Sequence, residues 1–332
     1  MPAPARAAQR RALRRLAVAL LSIVAAAPGA SAGQDPGGQP APAAQAPLDL
    51  GDAQDRMTVP VSIGNHGPFN FVVDTGAMRT VISRELAGTL GLAAGRNVRL
   101  TAMTGTADVS TVVIPMISVS TIGGTAIEAP SLESRNLGAP GMLGLDTLQG
   151  HAVSIDFGRQ LMTVTPSVKR RRSVEAAPGE VVVHGKNIYG QLIVTDASYR
   201  GRKIRVILDT GSGITMGNMA LKQRVARSAK AARSISLWGV TGQSMQVDYT
   251  QITSVRIGGA LFSRLPIAFS DAEPFRHFGL TDQPALLLGM DALRLFQHVE
   301  IDFPNREVRL SVANDAVGAA RPSPLRSIPL GR

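Results

Sequence analysis

Two short turns, each led by an aspartate, end apolar segments of this 332-residue sequence. Asp74 closes the apolar run in FNFVVDTGA, and Asp209 closes the one in RVILDTGS, 135 positions later. A carboxylate beside apolar residues is costly to bury unless another group stabilises it. Because both turns carry the same Asp–Thr–Gly sequence, we expect each aspartate to be stabilised by the other and by backbone donors.

A pair of neighbouring carboxylates has a defined chemistry. Two carboxylates that lie close together cannot readily both ionise, so they share one proton. The protonated member can polarise a carbonyl group while the ionised member takes a proton from water. Hydrolysis of an amide by this route requires neither a metal ion nor a covalent nucleophile. Glycine after the aspartate allows a tight turn and a close approach of backbone N–H groups.

The two turns belong to an internal duplication. Five short segments recur in the same order, which indicates repeated units rather than chance similarity. The first three pairs are 135 to 137 positions apart and the last two are 145 and 146 apart, so we expect an insertion of about ten residues within SDAEPFRHFGLTDQ. The pairs are DTG at 74–76 and 209–211, TG at 104–105 and 241–242, IGG at 122–124 and 257–259, the Gly of MLG and LLG at 144 and 289, and IDF at 155–157 and 301–303.

Both copies are predicted to be mainly β. Segments such as MTVPVSIG and HVEIDF are rich in β-branched residues and bounded by turn formers, which is typical of strands. Helical patterning is brief, in RELAGTLGL of the first copy and MALKQRVARSAKAA of the second. A pseudo-twofold pairing of the copies would bring equivalent elements face to face and place the two turns at its axis.

The motifs VVDTGA and ILDTGS, each followed by an apolar-apolar-Gly segment (MLG and LLG), resemble the retropepsin-like and pepsin-like aspartic proteases. The resemblance covers essentially all of 57–312. It implies two tandem acid-protease-like β-barrel lobes related by pseudo-twofold symmetry, with short helices only. Two flaps and short lobes resemble a fused retropepsin dimer, so the chain is identified as a bacterial-type, single-chain member of the group. The implied activity is aspartic-type endopeptidase, a hydrolase.

The resemblance also implies roles for individual residues. Each aspartate turn would be inserted into a psi-shaped loop, and the Thr–Gly hairpins would be flaps over the site. The implied set consists of the catalytic pair Asp74 and Asp209, the turn residues Thr75, Gly76, Ala77, Thr210, Gly211 and Ser212 (the two threonines interlocking), the psi-loop residues Gly144 and Gly289, and the flap candidates Thr104, Gly105, Thr241, Gly242 and Trp238.

The two turns differ at one position, where Ala77 in the first copy corresponds to Ser212 in the second. A hydroxyl that donates to a carboxylate favours its charged form. We therefore expect Asp209 to carry the charge more often and Asp74 the proton, within a pair that titrates as a unit.

Four other repeated aspartates are interpreted as structural. Asp146 and Asp291 follow the psi-loop glycines, where a carboxylate suits the start of the next helix. Asp156 and Asp302 are expected to serve the repeated β-structure.

The two ends of the chain and the segment that joins the two copies differ in composition from the copies themselves. Residues 1–32 read as a signal peptide, with the basic segment RRALRR, a short apolar run and a small-residue cleavage site. They predict export to the periplasm or medium, with an uncleaved inner-membrane anchor as the alternative. We interpret 33–54 as a flexible Pro/Ala/Gln-rich tether, 55–168 as lobe 1, 169–185 as a basic linker, 186–313 as lobe 2 and 314–332 as a disordered tail.

Composition excludes several classes of function. The formal charge of +11 falls to +6 without the first 32 residues, and no basic-groove pattern indicates nucleic-acid binding. The chain has no cysteine, and its five histidines lack ligand spacing, so we predict no metal and no cofactor. The predicted partner is a peptide or protein substrate. We expect a monomer with intramolecular lobe pairing, with a dimer as the alternative. A protease-like module that binds peptides without cutting them remains the alternative function.

Overall fold

The structure is a computed structural model that describes residues 56–119, 122–124, 126–173, 175–188, 191–194, 196–226 and 232–311. It also describes four short strands outside these ranges, which are β1 (Arg15–Ala17), β2 (Leu48–Asp49), β3 (Gly51–Ala53) and β29 (Arg326–Ile328). Apart from these strands, the predicted signal peptide, tether and tail lie almost wholly outside the described residues and stay predictions. None of the helices in the described part of the chain is long and apolar enough to cross a bilayer.

The first lobe is built mainly of strands, with three helices of four to six residues. Its elements are β4 (Arg56–Ile63), β5 (His66–Val73), β6 (Val81–Ser83), α1 (Arg84–Thr89), β7 (Ala93–Ala102), β8 (Gly105–Ile114), β9 (Ile117–Val119), β10 (Ile122–Gly123), β11 (Ile127–Leu132), α2 (Ser134–Leu137), β12 (Gly141–Leu143), α3 (Leu145–Leu148), β13 (His151–Asp156) and β14 (Leu161–Pro166).

The second lobe repeats this composition, and its longest helix has seven residues. Its elements are β15 (Glu180–Ile188), β16 (Gln191–Val194), β17 (Ala197–Tyr199), β18 (Arg202–Lys203), β19 (Arg205–Leu208), β20 (Met216–Gly217), α4 (Met219–Val225), β21 (Arg233–Trp238), β22 (Ser244–Ile252), β23 (Val255–Ile257), β24 (Ala260–Phe262), β25 (Leu265–Phe269), α5 (Glu273–His277), β26 (Ala285–Leu288), α6 (Met290–Leu293), β27 (His298–Asp302) and β28 (Glu307–Ser311).

The strand order confirms the duplication. In the first lobe the order β4-β5-β12-β6-β11-β8-β7 corresponds strand by strand to β16-β19-β26-β20-β25-β22-β21 in the second. The helix that follows β6 or β20 is capped in the same way in both lobes, because Ser83 accepts a hydrogen bond from Leu86 N and Asn218 accepts one from Leu221 N. The mainly β fold with two tandem repeated lobes is therefore confirmed.

Two details differ from the sequence-based expectation. Over the described residues, the strand path of each lobe does not return to its first strand, so the predicted barrels are open sheets. Strand β15 begins at Glu180, six residues before the expected start of lobe 2, because 180–184 pairs with β28. The expected insertion is found where predicted, since fifteen residues (270–284) separate β25 from β26 but eight (133–140) separate β11 from β12.

The lobes share one sheet, in the order β15-β28-β27-β13-β14-β2. At its centre, β13 pairs antiparallel with β27, and Ser154 lies opposite Glu300, its own counterpart in the repeat. On either side Val153 faces Ile301 and Ile155 faces Val299, all four of them buried. A residue opposite its own equivalent marks a twofold axis. The pseudo-twofold axis therefore passes between these two strands.

The start of the linker is anchored to the second lobe by buried charges. Arg170 Nη2 lies 3.1 Å from Asp302 Oδ2 and 3.0 Å from Glu307 Oε2, and both carboxylates are only 3% exposed. Arg309 provides a second cation, 3.3 Å from Glu307. Asp302 also accepts a hydrogen bond from Asn305 N at 3.1 Å within the β27–β28 turn. Asp302 thus serves the β-structure as expected, and Asp156 does the same at the β13–β14 turn by accepting from Arg159 N.

We expect Arg170→Met to destabilise the protein. The substitution leaves Asp302 and Glu307 buried with less positive charge, and breaking a buried pair is strongly destabilising. Because Arg170 is itself one-third exposed, we expect a loss of about 2–3 kcal/mol and a Tm lower by roughly 5–10 °C. Thermal unfolding checks this, with Arg172→Met at an exposed linker position as the control. Equal melting temperatures for Arg170→Met and the parent would contradict this account of the linker anchor.

Candidate active site

Each aspartate lies at the crossing of a psi-shaped loop. Strand β12 is inserted between β5 and β6, parallel to the first and antiparallel to the second, and β26 is inserted in the same way between β19 and β20. The backbone N–H of Asp74 donates to Leu143 O at 3.0 Å, and that of Asp209 donates to Leu288 O at 3.1 Å. The psi loops implied by the resemblance are present in both lobes.

The glycine after each inserted strand is required by its surroundings. A Cβ on Gly144 would lie 2.6 Å from Arg79 O, and a Cβ on Gly289 would lie 2.6 Å from Ile214 O. Both distances are shorter than real Cβ contacts, and both neighbours are backbone atoms that cannot rotate away. Only glycine lets the two parts of the loop pass this closely.

The threonines of the two turns interlock across the lobes. Thr75 N donates to Thr210 Oγ1 at 3.0 Å, and Thr210 N donates to Thr75 Oγ1 at 3.2 Å. Each hydroxyl then donates to the opposite strand, Thr75 to Leu208 O at 3.2 Å and Thr210 to Val73 O at 2.9 Å. These four buried hydrogen bonds fix one turn against the other, as the repeated threonines predicted.

The two carboxylates meet between the two turn glycines. Asp74 and Asp209 are completely buried. A Cβ on Gly76 would lie 2.8 Å from Asp209 Oδ1 and 3.1 Å from Asp74 Oδ1, and a Cβ on Gly211 would overlap the Asp74 carboxylate. Asp74 Oδ1 accepts hydrogen bonds from Gly76 N at 2.8 Å and Ala77 N at 3.0 Å. The turns therefore bring one carboxylate from each lobe to a common site.

The two aspartates differ in their environment. Burial is the largest cause that raises the pKa of Asp209 well above the usual value for aspartate, followed by the charge of Asp74 and a hydrogen bond with it. The backbone N–H groups of Gly211 and Ser212 lower this pKa, but by less. Asp74 receives two backbone donors on one oxygen, which favours its charged form. Because burial and the neighbouring charge both oppose a second ionised group, the two carboxylates share a proton.

One premise of the sequence analysis is not met. Ser212 was expected to donate its hydroxyl proton to Asp209, but it donates it to Ile214 O at 2.6 Å. A hydroxyl has a single proton, so the serine has none left for the carboxylate. The hydrogen bond that was expected to favour the charge on Asp209 is therefore not formed, and which aspartate carries the charge stays a prediction.

The flap candidates form the tips of two hairpins. Thr104 and Gly105 connect β7 to β8, and Thr241 and Gly242 lie between β21 and β22. Both glycines have positive φ, +142° and +82°, a conformation that side chains disfavour. The tips of the two hairpins are in contact with each other and with the opposite lobe. Trp238, at the end of β21, is half-buried against the apolar residues of the second lobe.

In the described part of the chain, no three His, Asp or Glu side chains are grouped in a way that could hold a metal ion.

Comparison with known families identifies the two lobes. Residues 59–150 match the family described as "gag-polyprotein putative aspartyl protease", and residues 195–292 match the family described as "Aspartyl protease". The matches are in tandem, and each contains one Asp–Thr–Gly turn. The chain belongs to the retropepsin-like aspartic protease family. A comparison with curated proteins found no match.

Behind each turn of this aspartic protease lies a Thr–Asp pair that the sequence analysis did not assign to the site. Thr80 Oγ1 donates to Asp146 Oδ1 at 2.7 Å, and Thr215 Oγ1 donates to Asp291 Oδ1 at 2.6 Å. The same hydroxyls accept hydrogen bonds from the psi-loop glycine N–H groups, each at 3.1 Å. Both aspartates lie in the first turn of a helix, as expected. Their second role is to brace the active-site loop. The sequence does indicate this pairing, because these threonines and aspartates recur at the same offsets as the repeated motifs.

The Thr215–Asp291 pair, which braces the loop of the second lobe, is sensitive to pH. Burial raises the pKa of Asp291 to about 6, against the hydrogen bonds from Thr215 that lower it. The native protein therefore keeps this proton up to about pH 6, whereas the unfolded chain loses it near 3.8. A proton held more tightly by the native state stabilises it below the unfolded pKa, and this stability is lost as the pH rises through the folded pKa.

We therefore expect Asp291→Asn to remove a pH-dependent loss of stability. An amide stays neutral at every pH and can still accept a hydrogen bond from Thr215. The free energy of unfolding of the variant, relative to the parent, should rise by up to about 3 kcal/mol between roughly pH 4 and pH 7. Denaturant unfolding at several pH values measures this difference. Asp282→Asn, on the exposed 281–284 loop, is the control for loss of one negative charge, and a flat difference for Asp291→Asn would refute the assignment.

Proposed function

We propose that this retropepsin-like protein is an aspartic endopeptidase that hydrolyses peptide bonds with Asp74 and Asp209. The observation that carries the proposal is the buried pair of carboxylates, one from each lobe, which share a proton. A protonated and an ionised carboxylate are suited to act as an acid and a base at the same site. The family supports the reaction class, and the geometry supports the choice of Asp74 and Asp209.

In the proposed reaction, the ionised aspartate of the pair takes a proton from a water molecule, and the resulting hydroxide attacks the carbonyl carbon of the scissile bond. The protonated aspartate gives its proton to the carbonyl oxygen, which yields a neutral tetrahedral diol. The diol then collapses, the C–N bond breaks, and the proton held by the first aspartate passes to the leaving nitrogen. One diol hydroxyl returns its proton to the second aspartate, which restores the starting state of the pair.

The surroundings favour this mechanism. The threonine interlock fixes the two turns, so neither carboxylate has to move to reach the other. The hydroxyl oxygens of Thr104 and Thr241, on the flaps, are buried and have no hydrogen-bond partner among the described residues. Main-chain groups of an extended peptide lying under the flaps would be suitable partners for them.

We further propose that the protein is exported and acts as a monomer. Export rests on the composition of residues 1–32, with retention of that segment as a membrane anchor as the alternative. A single chain supplies both carboxylates and all four threonine hydrogen bonds, so a second copy is not needed to complete the site.

We expect Asp74→Asn and Asp209→Asn each to lower the rate of peptide cleavage by at least about a thousandfold, because each removes one half of the acid–base pair. Mass spectrometry of a digested peptide mixture measures the cleavage. Asp282→Asn, on an exposed loop, is the control and should cleave like the parent.

The parent protein should show a bell-shaped pH profile. Because the pKa of Asp209 is raised, the upper limb should lie above the ordinary aspartate value of about 4. Cleavage that survives both substitutions would refute the proposal. Folded protein that binds peptides but never cuts them would favour the peptide-binding module instead.

A further inference from the structure

The segment that joins the two lobes is basic and runs over the surface. Four consecutive positions, 169–172, are lysine or arginine. None of the described residues between the end of β14 at Pro166 and the start of β15 at Glu180 lies in a helix or strand, and from 168 onward all of them but Glu180 itself are exposed. Even the apolar Val168 is 80% exposed. The joint is therefore accessible to another protein.

The joint is anchored at both ends. At its start, Arg170 N donates a hydrogen bond to Asn305 Oδ1 at 2.7 Å. At its end, Ala177 N donates to Glu180 Oε2 and Glu180 N donates to Ala177 O, both at 2.9 Å. Between the two anchors lie residues 171–176, which we call the exposed loop.

The anchor separates one arginine from the next two. The side chain of Arg170 is held by two buried carboxylates, so it is not available to a second protein. Arg171 and Arg172 are exposed and form no ion pair with any other described residue. Arg172 lies farther from the anchor and precedes Ser173, a small residue. A protease that cuts after arginine must take that side chain into a specificity pocket with an acidic group, and Arg172 is the best placed of the three to enter one.

The contacts that hold the lobes together do not pass through the exposed loop. Strand β13 pairs with β27 across the pseudo-twofold axis, and the threonine interlock joins the two turns. Met103, in the first flap, is 1% exposed and belongs to an apolar cluster whose other buried members all come from the second lobe. Val240, in the second flap, belongs to a cluster whose other buried members all come from the first lobe. The lobes therefore stay associated when the loop is cut.

We propose that the exposed loop is a processing site, at which a trypsin-like protease cuts the bond between Arg172 and Ser173. The cut converts the single chain into a two-chain protein whose halves remain assembled. This modification goes beyond the proposed function and does not depend on it. The recognising chemistry is the pairing of the Arg172 guanidinium with the acidic specificity pocket of the processing protease.

The cut is a hydrolysis that consumes one water molecule. The water oxygen bonds to the carbonyl carbon of Arg172, the C–N bond to Ser173 breaks, and the Ser173 nitrogen takes the proton. The products are a carboxylate on Arg172 and a new amino terminus on Ser173. The new carboxyl end stays tied to the second lobe, because Arg170 is only two residues before it and is bound to Asp302 and Glu307.

Limited digestion of the native protein with trypsin, followed by mass spectrometry of the intact fragments, tests the site. Among the lysines and arginines of 56–311, the bond after Arg172 should be cut first. Arg172→Gln should lower the rate of cutting in the loop by at least about tenfold, because a neutral side chain cannot pair with the acidic pocket. Arg171→Gln is the matched control and should be cut like the parent. An earlier cut elsewhere in this range, or equal rates for Arg172→Gln and the parent, would overturn the proposal.

Gel filtration of the cut protein tests whether the halves stay assembled. The two fragments should elute together at the position of the parent and separate only in denaturant. The Tm of the cut protein should fall on dilution, whereas that of the parent should not, because the halves are then held by a bimolecular association. Fragments that separate in native buffer would overturn the proposal.

A control without added trypsin identifies the protease that cuts. The parent and Asp74→Asn should both stay intact in the loop during the same incubation. A cut that appears in the parent but not in Asp74→Asn would be made by this protein itself and would overturn the choice of a trypsin-like protease. None of the other readouts uses peptide cleavage by this protein, so failure of the proposed function leaves them unchanged.

Discussion

The burial of two carboxylates against each other is the constraint on which the rest of this structure depends. Taking one ionised carboxylate out of water costs several kcal/mol even after relaxation, and a second one beside it adds repulsion. A shared proton removes one of the two charges, and the backbone N–H donors of the two turns stabilise the other. This arrangement requires the two turns to be held at a fixed separation. The threonine interlock holds them locally, and the sheet shared by the lobes holds them globally, so neither lobe contains a complete site.

Departures from the pseudo-twofold symmetry make the two halves of the site unequal. In the second turn Ser212 replaces Ala77, and its hydroxyl donates to Ile214 O within the same turn. Behind the turns, Thr147 follows Asp146 and contributes a hydroxyl 2.8 Å from that of Thr80, but alanine follows Asp291. Asp291 therefore lacks this second hydroxyl in a buried setting, and burial raises its pKa. A strictly symmetric pair holds its proton equally on either aspartate, and substitutions that follow a duplication remove this equivalence of the two halves.

The parts of the site that could be predicted from the sequence are those carried by local motifs and their repetition. The Asp–Thr–Gly turns, the psi-loop glycines and the order of the strands all recur at nearly constant offsets. The Thr80–Asp146 brace was missed because its members lie 66 positions apart, and a lone threonine after a turn has no local signature. The direction of the Ser212 hydroxyl was missed because a serine has several acceptors within reach, and only the backbone path selects Ile214. The start of β15 was missed because the polar linker composition continues into the strand.

The burial of Met103 could not be predicted from the sequence for a different reason. Hydrophobic periodicity reports which face of a strand is covered by its own lobe, and the hairpin tip projects beyond that lobe. Its partner is supplied by symmetry, since each flap covers the half of the cleft that the other lobe builds. Burial is also the largest cause of the raised pKa of Asp209. Any opening that admits water to the pair therefore lowers this pKa toward its ordinary value and weakens the hold on the shared proton.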